Sequence, residues 1–94
     1  MPRLDWTALS TVVASRKRMA VLRALRVPAT PSRVARHLKM PLPHVSRALA
    51  ELRSVGAVKC LNPRRRKGRI YARTRKGQGL FEEARRLAGN PRRA

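Results

Sequence analysis

Between Pro63 and Lys76 the chain reads PRRRKGRIYARTRK, eight Lys or Arg in fourteen residues with no acid among them. Cations at this density are suited to phosphate oxygens, Arg as a planar fork and Lys as a point charge. Gly68 offers a turn and strand-forming residues flank it, so the spacing predicts a hairpin that presents its cations at a projecting tip. Directly before it runs HVSRALAELRSVGAV, in which Val45, Ala48, Leu49 and Leu52 fall at i, i+3, i+4 and i+7. That face packs inward, and Pro43, His44, Ser46 and Arg47 remain on the outward N-terminal part, free to meet a partner. A helix followed by a cationic hairpin points to nucleic acid.

Other elements must position these residues. From Thr7 to about Arg26 there is no Gly or Pro, and Leu9, Val12, Val13, Met19, Val21, Leu22 and Leu25 mark an amphipathic helix. Ser15, followed by Arg16, Lys17 and Arg18, interrupts the apolar stripe, so one bent helix or two short ones fit equally. Thr30 before Pro31 is a helix start, because Thr accepts a backbone N–H and Pro fits the first helical position; the helix predicted there runs to Leu38. A tight connection through Lys39, Met40 and Pro41 leads to the helix over 42–55, which Gly56 ends. Ala57 to Asn62 and Ile70 to Thr74 read as hairpin strands. Thr74 and Gly77 mark another turn, and Gln78 to Ala88 reads as a last helix with Leu80, Phe81, Ala84, Leu87 and Ala88 on one face. The fold class expected is mainly α with a small β-hairpin.

Ninety-four residues make one domain, 1–94, with a single small core. The 24 basic residues against four acids give +20, and the acids sit only at Asp5, Glu51, Glu82 and Glu83. So cationic a chain repels itself unless something anionic neutralises it. Double-stranded DNA is the expected partner, since three aromatics, Trp6, Tyr71 and Phe81, offer few platforms for stacking single-stranded bases. Structured RNA is the alternative. Neither an 18-residue apolar run nor a secretory signal is present, so no membrane partner is expected and the location read is cytoplasmic, on the nucleoid. Four carboxylates, three of them near the termini, supply no dyad or triad, so no enzyme activity is expected. Cys60, His37 and His44 lack ligand spacing, so no metal and no cofactor is expected.

The order helix, short helix, turn, helix, two-stranded hairpin, helix resembles a winged helix-turn-helix domain. The segments TPSRVARHL, HVSRALAELRSVGAV and GRIYARTRKG carry the match. Together they resemble prokaryotic MarR/ArsR-like transcription regulators, particularly small archaeal ones, over roughly residues 15–88, with the recognition helix at about 42–55 and the wing at about 57–74. Three positions depart from the usual pattern. Lys39 stands where the turn commonly has Gly, implying a less sharply left-handed backbone or some strain. Arg73 occupies a strand position more often apolar, and Arg75 one often Glu; both are expected to enlarge the basic face.

The resemblance implies that the recognition helix enters the major groove while the wing touches the neighbouring minor groove or backbone. Arg47 then makes a bidentate contact to guanine, His44 and Ser46 bond base edges, and Pro43 touches a thymine methyl. The competing expectation for Arg47 is an ion pair with Glu51 one turn later. Arg64, Arg65, Arg66, Lys67 and Arg69 in the wing, with Thr30, Ser32, Arg33 and Arg36 around the short helix, are placed for phosphates or a narrow minor groove. Related regulators usually dimerise through first and last helices, which assigns Leu9, Val12, Val13, Leu80, Phe81, Ala84 and Leu87 to a homodimer interface. The function expected is sequence-reading transcription regulation. The alternative is low-specificity, chromatin-like DNA binding or binding of structured RNA or the ribosome.

Overall fold

Ser15 decides how the N-terminal third is built. In the computed structural model, which describes residues 5–88, its backbone is extended (φ −140°) and its hydroxyl accepts the Arg18 N–H at 3.2 Å. A side-chain cap of this kind starts a new helix. Two helices therefore occupy the segment, α1 (Trp6–Val13) and α2 (Arg16–Ala24). Asp5 caps α1 in the same way, accepting the Ala8 N–H at 3.0 Å.

The helix α3 (Pro31–Leu38) has the predicted bounds, with Thr30 accepting the Arg33 N–H at 3.2 Å. Lys39 then adopts φ 55°, ψ 45°, and the Met40 N–H reaches back to the Ala35 carbonyl at 2.9 Å. The turn is thus fully left-handed without glycine, at a conformational cost of about 1 kcal/mol. The helix α4 (Leu42–Ser54) follows, with Pro43 in its first turn. Gly56 at φ 78° ends it, the Ala57 N–H closing onto the Leu52 carbonyl at 2.9 Å.

Strands β1 (Val58–Cys60) and β2 (Tyr71–Arg73) pair antiparallel, Val58 with Arg73, Lys59 with Ala72 and Cys60 with Tyr71. They are shorter than the sequence suggested, although single bonds from Leu61 to Ile70 (2.7 Å) and from Thr74 to Ala57 (3.0 Å) prolong the pairing. The free edge of β2 is used as well. Ala29 and Tyr71 exchange two backbone bonds of 3.0 and 2.9 Å, tying the segment before α3 to the hairpin.

The last helix, α5 (Arg75–Ala88), starts three residues earlier than predicted. Thr74 is its cap, its hydroxyl accepting the Gly77 N–H at 2.9 Å while donating to the Gly56 carbonyl at 2.6 Å. Gly77 lies inside the helix and is not a turn residue. A Cβ there would stand 1.9 Å from the Ala57 carbonyl oxygen, so glycine is what lets α5 lie against the start of β1. The core is one cluster around α2, which packs on α1, α3, α4 and α5. Leu22, Leu25, Leu52, Val12, Val21 and Val45 are its largest fully buried side chains.

Candidate nucleic-acid interface

Val45, Ala48, Leu49 and Leu52 anchor α4 in the core at no more than 3% exposure. The same helical spacing leaves Pro43, His44, Ser46 and Arg47 exposed on its first turns, three side chains that can hydrogen-bond and one, Pro43, that is apolar. On α3, Ser32, Arg33 and Arg36 are exposed. Thr30 is half-buried and its oxygen is engaged as the α3 cap, which leaves only its O–H proton for an outside acceptor.

Two contacts from α2 shape the α4 face, and neither shows in residue spacing. Glu51 is bound by Arg18, Nε to Oε1 at 2.8 Å, and not by Arg47. The Arg18 bond holds the Glu51 carboxyl below the usual carboxylate range. Among the described residues Arg47 makes no salt bridge. The second contact joins Lys17 Nζ to His44 Nδ1 at 3.1 Å. An ammonium can only donate, so Nδ1 takes the acceptor role in this contact, which leaves the donor role to Nε2. His44 is exposed on this face. Lys17 was missed from sequence because its neighbours in SRKR are equally basic and nothing in the run singles it out.

The wing is organised by Asn62, also missed. Its Oδ1 accepts the Ile70 N–H at 2.7 Å and the Cys60 thiol at 3.6 Å, while its Nδ2 donates to the Gly68 carbonyl at 3.2 Å. An Asn before Pro is a turn-former, a signal that was present but read as a strand end. Gly68 takes φ 70°. Arg64, Arg65, Arg66 and Lys67 are exposed, whereas Arg69 is half-buried and donates from Nε to the Arg65 carbonyl at 2.6 Å. Arg69 braces the loop as well as charging it.

Arg73 corrects the expectation of a wider basic face. Its guanidinium donates to the Leu22 carbonyl at 3.1 Å and lies 4.8 Å from the centre of the Phe81 ring, fastening β2 to α2 and α5. Burial pushes its pKa down. Arg75 is exposed, in the first turn of α5. Of the residues assigned to a two-fold interface, Leu9, Val12, Leu80 and Ala84 are buried at 0–3% exposure, because α1 and α5 pack on each other within the chain. Val13 and Leu87 stay about half exposed, Phe81 is half-buried beneath Arg73, and Trp6 adds an exposed ring at 67%.

The acids lie elsewhere or are occupied. Asp5 pairs with Lys76 at 2.7 Å, which holds its carboxyl below the usual range; Glu82 accepts from Gln78 at 2.6 Å, and Glu83 pairs with Arg86. Among the described residues no three His, Cys, Asp or Glu side chains gather as a metal site, and no helix is long and apolar enough to cross a membrane.

A family described as a helix-turn-helix domain matches residues 13–60. Among solved structures the chain is similar to a MarR family transcription regulator (21% identity, 88% of this chain and 60% of that one, TM-score 0.72). It is also similar to a mutant MarR from E. coli complexed with operator DNA (26% identity, 88% of this chain and 64% of that one, TM-score 0.70). The chain thus spans under two thirds of the length of either structure. No curated protein matches it. The family match covers α2, α3, α4 and β1, the β1–β2 hairpin follows α4 as a wing does, and the chain belongs to the helix-turn-helix domain family in its winged form.

Proposed function

We propose that the protein is a sequence-reading transcription regulator that binds double-stranded DNA, with α4 in the major groove and the wing on the minor groove or backbone. The observation that carries this reading is the exposed N-terminal face of α4. Four side chains able to meet base edges stand on a helix fixed by buried residues, and the one nearby carboxylate, Glu51, is neutralised by Arg18. The MarR from E. coli, similar over 88% of this chain, is complexed with operator DNA, which supports the same use of the fold here.

Arg47 is the candidate for a guanine O6/N7 pair, and it is free of the Glu51 contact that would compete. His44, whose Nδ1 is taken by Lys17 and whose Nε2 is left as the donor, suits an acceptor such as N7 or the thymine O4. Ser32, Arg33 and Arg36 with the wing cations set register through phosphates. A homodimer belongs to the proposal, resting on Trp6, Val13 and Leu87, since the remaining apolar surface of α1 and α5 is consumed internally. A second reading, weakly selective coating of DNA or binding of structured RNA, is favoured by one observation, the net charge of +20.

A salt-series titration against a selected duplex pool, random duplex, single-stranded DNA and hairpin RNA tests both. The regulator reading expects about a thousandfold preference for particular duplexes and, for six to eight phosphate contacts, a log–log salt slope of about −5 to −7. Equal binding to every duplex leaves the coating reading standing, and preference for hairpin RNA leaves the RNA one. A light-scattering mass of one chain at high salt removes the dimer.

A further inference from the structure

The outer side of α2 carries a second run of cations that the α4–wing face does not use. Arg16, Ala20 and Arg23 follow at i, i+4 and i+7 on one stripe, while Val21 and Leu22 on the other side are buried. Two shallow grooves flank the stripe. One runs toward α5 and is lined by Val13, Met19 and Ala84 together with Arg16 and Arg23. The other runs toward the end of α3 and is lined by Ala24 and Leu38 together with Arg23, Arg26 and His37. Ala20 and Arg23 line both, so the two grooves adjoin along this stripe, together called the α2 channel, and none of the four carboxylates lines either.

We propose that this α2 channel is a second nucleic-acid backbone site, through which a chain seated on one duplex grips a second duplex segment. The inference rests on the reading that α4 and the wing hold the first. Three features select a phosphodiester backbone. Neutralising about six to eight phosphates leaves a chain of net charge +20 still strongly cationic, so the bound protein keeps attracting polyanions. The cations are strung out and not convergent: seven helical residues separate Arg16 from Arg23 by about 10 Å, the axial rise of roughly three phosphates, which suits a strand better than a compact anion. Ala20 and Ala24 line the grooves beside the arginines with the smallest of side chains, so a backbone can approach the cations without a large side chain in the way. Within a nucleic-acid-bound population, neighbouring duplex is also the polyanion at highest local concentration.

The test is energy transfer between donor- and acceptor-labelled 20-base-pair duplexes mixed with the full chain, alongside single-duplex affinity by anisotropy. The wild type is expected to bring the labels together, and R16A/R23A/R26A to bind one duplex within about threefold of wild type while bridging at least fivefold less. R16K/R23K/R26K, which keeps the charge, should retain bridging. R53A/R85A/R86A, which removes three exposed cations outside both the channel and the α4–wing face, should also retain it. Bridging by R16A/R23A/R26A at the wild-type level overturns the site, and so does equal loss in R53A/R85A/R86A, which would reduce the effect to net charge. Single-duplex binding without bridging by the wild type overturns this inference alone; failure to bind even one duplex overturns it together with the proposed function.

Discussion

The helix α4 and the wing loop differ in what holds them. Four side chains buried at 0–3% exposure lock α4 against the core, so its outward residues inherit the rigidity of the packing. Residues 63–68 of the wing are all exposed, and the loop owes its shape to bonds around Asn62 and to Arg69 on the Arg65 carbonyl. Exposed bonds of this kind contribute about 1 kcal/mol each. Base edges demand fixed geometry, whereas phosphates accept charge from several directions, so rigid α4 suits discrimination and the adaptable wing suits affinity.

The contrast is broken most directly through stability. Leu52→Ala on α4 should cost about 2–5 kcal/mol by denaturant unfolding, while Leu61→Ala beside the wing, 48% exposed, should stay within about 0.5 kcal/mol. Similar losses would mean the wing is as tightly packed as the helix. Replacing Arg64, Arg65 and Arg66 together with Ala should leave unfolding unchanged but lower duplex affinity about two to three orders of magnitude at 0.1 M salt. The same variant should make the salt slope shallower by about 3, and an unchanged slope would remove the wing from the interface. Arg47→Ala should act the other way round, costing about 1–3 kcal/mol of discrimination at one base pair and changing the slope by at most about 1. Uniform loss across sequences would make Arg47 a phosphate contact.

The smallest expected effect concerns the contact that keeps Arg47 free. Glu51 is held below its ordinary pKa by the Arg18 bond, so the folded state binds its proton less readily than the unfolded one. Its stabilisation is present above the ordinary carboxylate range, about pH 4–5, and is lost as pH falls through the lowered folded value. Thermal melts should show Glu51→Gln slightly less stable than wild type at pH 6, with the gap closing toward pH 3. A gap independent of pH would mean that the ion pair contributes nothing.

Much of the scaffold was legible because it is written in neighbouring residues. Thr30 and Pro31 start α3, the i, i+3, i+4 spacing defines the inward face of α4, and Gly56 ends it, all through interactions within about one helical turn. Ser15 left one helix or two open, and its capping bond to Arg18 settles the matter. The start of α5 was misread because Gly77, a breaker by local rules, is needed for close approach to Ala57, a residue distant in sequence.

What the sequence by itself determined, then, is the order of elements, the inward face of α4 and the net charge of +20, since propensity, periodicity and composition act locally or as sums. Only the tertiary structure decided which cations are free. It gives Glu51 to Arg18, turns Lys17 onto His44 and folds Arg73 under the sheet onto Leu22, pairings across 33, 27 and 51 residues respectively. Charges of one type are interchangeable along a chain, and their partners are chosen by where packing brings the helices together.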